Sequence, residues 1–447
     1  MDATLSGSRR SEPSALSSGE SLHALAARLY PIPRSITGPG VRETLEILRG
    51  HIPLNVREVP TGTPVFDWVV PKEWHFRTAR LTGPDGNVIV DAATQNLQVL
   101  NFSTGFRGRI PLAELREHLF SLPDSPERTP YRTSYWSDNW GFCLPHRVVE
   151  SLAPGTYEVE IDAEHISGTL NWGEVFLPGE TDDEVLFSTH CCHPQLANDN
   201  VSGLVVMTAL AAELAARPRR RFGYRFLFLP ATIGSVAWLA TSLEQKGRRI
   251  RHGLVAAGLG DEGEFHYKKT RNGDAPIDRI VPRALAKLGE QVVVQEFVPF
   301  GYDERQFNAP GIRLPVGSLT RTPWGRYPEY HTDADNLEFI RPQALERSLD
   351  VFRAVVDEIE SVECYRNLLP LGEPMLGRRG LYRAISGSSA GREGELALLW
   401  VLNLSDGEQD LHSIADRSDI AYERIREAAD LLVTAGVLAA VALPRPD

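Results

Sequence analysis

Between Glu184 and Gly203 the chain reads EVLFSTHCCHPQLANDNVSG, which crowds two histidines, two cysteines and an Asn-Asp-Asn triplet into one short connection. Imidazole nitrogen and carboxylate oxygen are the donors by which zinc and similar divalent ions are held, with one position left open where the ion does chemistry. His190, His193 and Asp199 offer such donors here. A second group lies in PWGRYPEYHTDADNLEF, where His331 is followed by Asp333 and Asp335, and a third is Gly260-Asp261-Glu262. His193, Asp199 and His331 form the expected ligand set, with His190 and Asp261 serving the same ion or a second one. Taken singly, each has a plainer use: a strand-end histidine satisfied by its neighbours, or an aspartate capping the next helix. Their recurrence at predicted strand ends and turns favours the metal reading. For substrate recognition, a free amine needs a carboxylate and a carboxylate needs an arginine. Asp303, Glu304 and Arg305 are consecutive and offer either sign, and Arg34, Arg271 and Arg321 are further anion-binding candidates. A structural ion-pair network is the equally simple alternative.

The elements that must position these residues alternate in type. Glu184 to Thr189 reads as a buried strand and Ser202 to Arg217 as an amphipathic helix. Tyr224 to Leu229, Ile233 to Gln245 and Gly253 to Leu259 then continue a strand, helix, strand order, which implies a mainly parallel sheet flanked by helices. Open α/β sheets carry ligands beyond the carboxyl ends of their strands, where the histidine-rich connection falls. Upstream, SLHALAARLY and the run from Val41 to Arg49 are helical patterns. From Pro64 to Pro145 the texture changes to short alternating segments, with Pro84-Asp85-Gly86 as a hairpin turn. The aromatic residues Tyr131, Tyr135, Trp136 and Trp140 in this part read either as a cleft lining or as the core of a small domain. After Tyr365 a stretch of little periodicity leads to helix, turn, helix and a final apolar strand, the grammar of a winged helix.

Composition narrows the function classes. The 447 residues exceed one small core, and 42% hydrophobic with 24% charged residues is the balance of an ordinary globular protein. A net charge of -12 argues against a nucleic-acid or anionic-membrane binder, which needs a basic footprint. Within residues 391–447 acidic residues outnumber five arginines and there is no lysine, so the winged helix is expected to be an interaction or capping module. No unbroken apolar run reaches membrane-span length, the first residues lack a secretory pattern, and four cysteines make no disulfide framework. A cytoplasmic location is the expectation.

The succession HCCHPQLANDNVSG, PATIGS, LGDEG and PEYHTDAD resembles the zinc exopeptidase fold. More closely, YPIPRSITGPGVRETL, FDWVVPKEW, YRTSYWSDNWGFC and EPMLGRRGLY are similar to stretches of a bacterial family of uncharacterised aminopeptidase-like domains found among polysaccharide and natural-product biosynthesis genes. Together with the element pattern, the resemblance implies an aminopeptidase-like α/β domain of residues 20–62 and 155–365, a β-rich insertion at 63–154, a linker at 366–390 and a winged helix at 391–447, while residues 1–19, rich in Ser, Gly and Arg without periodicity, are expected to be a disordered tail. It implies one or two zinc ions, with His190, Asp199, Asp261 and His331 matching the exopeptidase ligands. His193, in Cys-His-Pro, matches the aminopeptidase-like family itself and competes with His190 for the first imidazole position. It also exposes a departure. Where exopeptidases carry two consecutive glutamates, one of them the general base, this chain has Ala231, Thr232 and Ile233, and Cys192 stands where an aspartate orients the first histidine. The implied activity is hydrolysis of a terminal amide or aminoacyl bond in a small peptide-like substrate, with Glu304 or Glu262 as the replacement base. Three alternatives stay open: an inactive metal-containing binding protein, a nucleophilic Cys191 or Cys192, and a winged-helix regulator. Self-association is left open as well.

Overall fold

A computed structural model describes residues 16–381 and 389–441. The disordered-tail expectation for residues 1–15 lies outside them, while Ser18 caps the helix Gly19–Leu29. Two compact units meet in sequence at Val355 and Val356.

The first unit is built on an eight-stranded sheet. In chain order its strands are β1 (Asn55–Pro60), β2 (Thr169–Leu177), β3 (Glu184–His190), β4 (Gly223–Leu229), β5 (Ile250–Ala256), β6 (Phe265–Lys268), β7 (Val292–Gln295) and β8 (Val316–Thr320). Their spatial order is β1-β2-β4-β3-β5-β8-β6-β7. The central four, β4-β3-β5-β8, run parallel, and antiparallel pairings attach β2 on one side and β6 on the other. Every residue of β3, β4 and β5 is buried, as expected of parallel strands covered on both faces. The strand β5 starts three residues earlier than its apolar run, because Arg251 enters the sheet paired to Asp183 at 2.9 Å. As a result Gly258 to Asp261 lie beyond the strand end.

The helix Ser202–Ala216 is buried nearly all round, so the amphipathic expectation is replaced by a core helix. The segment Ala197–Ala216 is long and apolar enough for a membrane span by composition, yet 78% of it is buried within the protein. The helix Ile233–Lys246 follows β4 directly after Pro230 and the Ala231-Thr232 step.

Residues 73–166 form a four-stranded antiparallel sheet of Val88–Asp91, Glu73–Thr82, Thr156–Ile166 and Phe106–Pro111, in that order. The Pro84-Asp85-Gly86 turn closes its hairpin, with Gly86 at φ +81° and Asp85 accepting from Asn87. Thr156–Ile166 pairs with two strands of this sheet, so the β-rich part runs past residue 154 to the point where the chain enters β2.

In the second unit the helices Ser389–Leu404, Leu411–Ser418 and Tyr422–Thr434 enclose an apolar core that includes Val401, Ile414, Ile425 and Leu432. Asp410 caps the second of them through Ser413 N–H at 2.8 Å. Cys364–Asn367 is the middle strand of the accompanying sheet, between Asp406–Asp410 and Leu438–Val441. The expected linker therefore begins inside this unit's sheet. The four residues Cys364-Tyr365-Arg366-Asn367 carry no period-two pattern over so short a strand.

Candidate metal centre

The end of β3 delivers His190, and the chain then turns so that His193 and Asp199 face it. Asp199 is 1% exposed, and its two oxygens are shared out. Oδ1 lies 2.8 Å from His190 Nε2, Oδ2 lies 2.9 Å from His331 Nε2, and His193 Nε2 stands 4.0 Å from Oδ2. His331 is brought in from the loop after β8, where its own backbone takes φ +54°, a left-handed conformation in which histidine is enriched. His190 is as buried as Asp199, while the side chains of His193 and His331 are 14% and 30% exposed. The cluster is closed beneath and open on the His193–His331 side.

Its surroundings hold these four in place. Asp335 accepts the backbone N–H of Asn198 at 2.5 Å and of Asp199 at 3.0 Å, and its own backbone oxygen accepts from Ala197. Asn200 Nδ2 donates to Thr189 and to the His190 carbonyl, and its Oδ1 accepts from Gly258 N–H. Arg34, 1% exposed, donates through Nε to the His193 carbonyl at 2.9 Å. Tyr330 stacks on His331 at 3.9 Å, Tyr302 on His190 at 5.6 Å, and Tyr131 lies 5.0 Å from the rings of both His193 and His331. Tyr131 reaches that position because its N–H donates to the His331 carbonyl at 2.8 Å, while Thr129 N–H donates to Asp333 Oδ1 at 3.0 Å.

Burial alone would favour the neutral acid at Asp199, yet the adjacent His193, His190 and His331 outweigh it and hold its carboxyl well below the usual range. Burial pushes the His193 imidazole down to about 3, so it stays neutral with a lone pair to offer. Burial also raises Asp335 to about 8 and Asp303 to about 6, and pushes the Cys191 thiol up to about 12 and that of Cys192 higher than its ordinary value. A buried thiol so hard to ionise is a poor nucleophile.

The donor set suits a divalent cation. Neutral imidazole nitrogens and a carboxylate are the donors zinc takes, and the carboxylate meets His190 through Oδ1 at 2.8 Å and His331 through Oδ2 at 2.9 Å. His190, His193 and Asp199 each offer a ligand atom within 4.8 Å of the others, His331 lies on the second oxygen of the carboxylate, and the buried His190 Nδ1 has no hydrogen-bond partner.

The remaining residues singled out in the sequence lie elsewhere. Asp261 is committed to Asn198 Nδ2 at 2.9 Å, Thr322 Oγ1 at 2.6 Å and Gly263 N–H at 2.7 Å, and it stays out of the cluster. Glu262 is exposed, 3.9 Å from Arg341, and Glu304 is fully buried in an ion pair with Lys268. Arg271 is exposed with its N–H on Asn308, Arg305 lies over Phe300, and Arg321 is fixed to Ser348 and Gly263 over the Phe265 ring. Of the charged run, Asp303 is 1% exposed and 2.9 Å from Ser235 Oγ, and a charge on His190 would work against the upward push that burial gives its carboxyl. The aromatic group divides: Tyr131 lines the cluster and bonds Tyr135, whereas Trp136 is exposed against Trp68 and Trp140 stacks between Phe106 and His118. Asn198, Ser235 and Tyr302 were not singled out. Only the NDN triplet carried a signal for the first, and the other two act through contacts distant in sequence.

A family described as a domain of unknown function, DUF4910, matches residues 23–362, and a winged helix-turn-helix family matches residues 363–440. The chain belongs to the DUF4910 family. A Clostridium acetobutylicum relative, named for polysaccharide biosynthesis and an aminopeptidase-like domain, is 44% identical over 414 residues, which is 93% of this chain and 95% of that one. A crystal structure from Clostridium acetobutylicum, named as a peptidase, matches with a TM-score of 0.82 at 42% identity, covering 95% of this chain and 96% of the other. The Bacillus subtilis zinc aminopeptidase matches with a TM-score of 0.57 at 14% identity, covering 77% of this chain and 96% of that one. This DUF4910 chain therefore combines an aminopeptidase-like α/β fold with a winged-helix domain.

Proposed function

We propose that the chain is a zinc-dependent hydrolase of a terminal amide or aminoacyl bond, acting on a small peptide-like substrate in a biosynthetic setting. The observation that carries this reading is the convergence of His190, His193 and His331 on the buried carboxylate of Asp199. His190, His193 and Asp199 would hold an ion, with His331 on the second carboxylate oxygen available to it or to a second ion, and the metal would supply Lewis acidity toward a carbonyl and toward water. With His190 and Asp199 enclosed, a substrate approaches from the side where His193 and His331 are exposed. Tyr131 and Tyr330 wall that side and exclude bulk water from the reacting bond. No carboxylate stands at Ala231, and we assign the base to Asp303, a buried carboxylate held by Ser235 Oγ at 2.9 Å. The likeness to relatives named as a peptidase and as an aminopeptidase supports the same reading.

Metal analysis of the purified protein tests it first. About one zinc per chain is expected for a filled site, and less than about 0.2 rejects the proposal. Turnover of aminoacyl amides should then vanish in His331→Ala. The absent glutamate at position 231 favours a second reading, a metal-containing protein that binds peptide-like ligands without cleaving them. Zinc-loaded protein that binds an amide panel but turns over none of it would decide for that reading.

A further inference from the structure

A cavity of about 310 Å³ opens beside the cluster. Tyr302, which stacks on His190, forms part of its wall, and the rim segment 323–326 belongs to the loop that carries His331. The floor is one face of three adjacent strands at the sheet's edge. Side chains alternate along a strand, so His266 and Lys268 of β6 point the same way, as do Ser318 and Thr320 of β8. The register sets His266 opposite Thr320, and Lys268 between Ser318 and Gln295.

The floor carries no uncommitted charge. Lys268 is charge-paired with the buried Glu304 and donates to the carbonyls of Phe300 at 2.9 Å and Val298 at 3.4 Å. The other basic side chain of the lining, Arg326, stands exposed on the rim. What the floor offers is neutral hydrogen bonding of both senses. His266 Nδ1 faces two carbonyl oxygens at 3.1 Å and must donate, which leaves Nε2 as an acceptor. Thr320 Oγ1 gives its proton to the Arg321 carbonyl and keeps its lone pairs. The side chains of Ser318 and Gln295 make no hydrogen bond among the described residues, and each can donate and accept. Above them Phe300 and Trp324 meet edge to face with centroids 4.6 Å apart at the mouth.

We propose that this cavity is a subsite for a neutral polyhydroxylated ring, a sugar residue carried by the substrate next to its reacting bond. An apolar side chain would displace water from these polar groups without replacing its hydrogen bonds, and an anion would need a free cation on the floor. A sugar hydroxyl both donates and accepts, and the C–H faces of the ring pack on aromatic side chains. The volume is that of a small ligand pocket. The inference rests on the hydrolase reading only for what lies beside the sugar.

The test uses the full-length chain stripped of metal, so that binding is read without turnover. Saturation-transfer NMR and calorimetry would be run with methyl glycosides of glucose, galactose and N-acetylglucosamine. Leucinamide and phenylalaninamide serve as side-chain probes and inorganic phosphate as the anion probe. At least one glycoside should bind, and Trp324→Ala or Thr320→Val should each weaken it about tenfold while zinc uptake is unchanged. Binding of the amides or of phosphate with no glycoside binding overturns the inference, as does glycoside binding that survives both substitutions, or no binding by any probe. A chain that binds a glycoside but cleaves no amide would overturn the hydrolase reading and leave this one standing. A chain that cleaves amides but binds no glycoside would do the reverse.

Discussion

At the residue scale the site turns on two groups that burial moves in opposite senses. His193 is neutral down to about pH 3 in the folded metal-free chain against an ordinary 6.5, so the unfolded chain binds more protons below 6.5 and stability falls on acidification. Asp303 holds its proton up to about pH 6 against an ordinary 3.8, so the folded chain binds the extra proton and stability falls as pH rises through that window. The two slopes oppose each other between about pH 4 and 6. Asp303→Asn removes one of them, and urea titrations of the metal-free variant should show a steeper loss of stability from pH 6 to 4.5 than the wild type. Equal slopes would contradict the pairing. With metal bound, the same substitution should lower kcat by about 10² to 10⁴ if Asp303 is the base, whereas Glu262→Gln, on an exposed side chain, should leave kcat unchanged. His190, His193 and Asp199 come together where a strand end and the Asn-Asp-Asn turn, local features that a sequence displays, place them, while His331 arrives from the loop after β8. Asp261 does not join them, because β5 ends earlier than its apolar run implies and the residue falls into a turn held by Asn198 and Thr322.

At the scale of elements, the central strands are tied together far from the cluster. Arg225 of β4 donates to both oxygens of Glu184 on β3, at 2.7 and 3.0 Å, and also pairs with Glu174 on β2, to which Lys246 adds a contact at 2.9 Å. All three strand residues are buried. Arg225→Met should cost about 3–5 kcal/mol in denaturant titrations, because it leaves two carboxylates short of their guanidinium. Zinc stoichiometry of the folded fraction should not change. A comparable loss is not expected for Arg77, whose partners Asp162 and Glu164 are solvent-exposed. The order of strands and helices was legible because its hydrophobic periods differ. The middle strand Cys364–Asn367 and the long strand Thr156–Ile166 were harder to place, since pairing partners distant in sequence decide which sheet a strand joins.

On the scale of the whole molecule, an aminopeptidase-like unit and an acidic winged helix share one chain. Phosphate contacts need positive charge, and residues 391–447 hold five arginines and no lysine. Electrophoretic shift assays at low salt should therefore find no duplex DNA binding. A shift that weakens steeply with added salt would restore the regulator reading.

The backbone bonds from Tyr131 to His331 and between Thr129 and Asp333 have an evolutionary corollary. The β-rich insertion is stapled to the loop that carries one of the site's imidazoles, so it cannot be lost, shortened or exchanged as a detachable module without displacing that histidine. Lineages that keep the site must keep the backbone fit between the two segments, and the side chain at Asp333, which accepts from Thr129 N–H, is the one these bonds constrain.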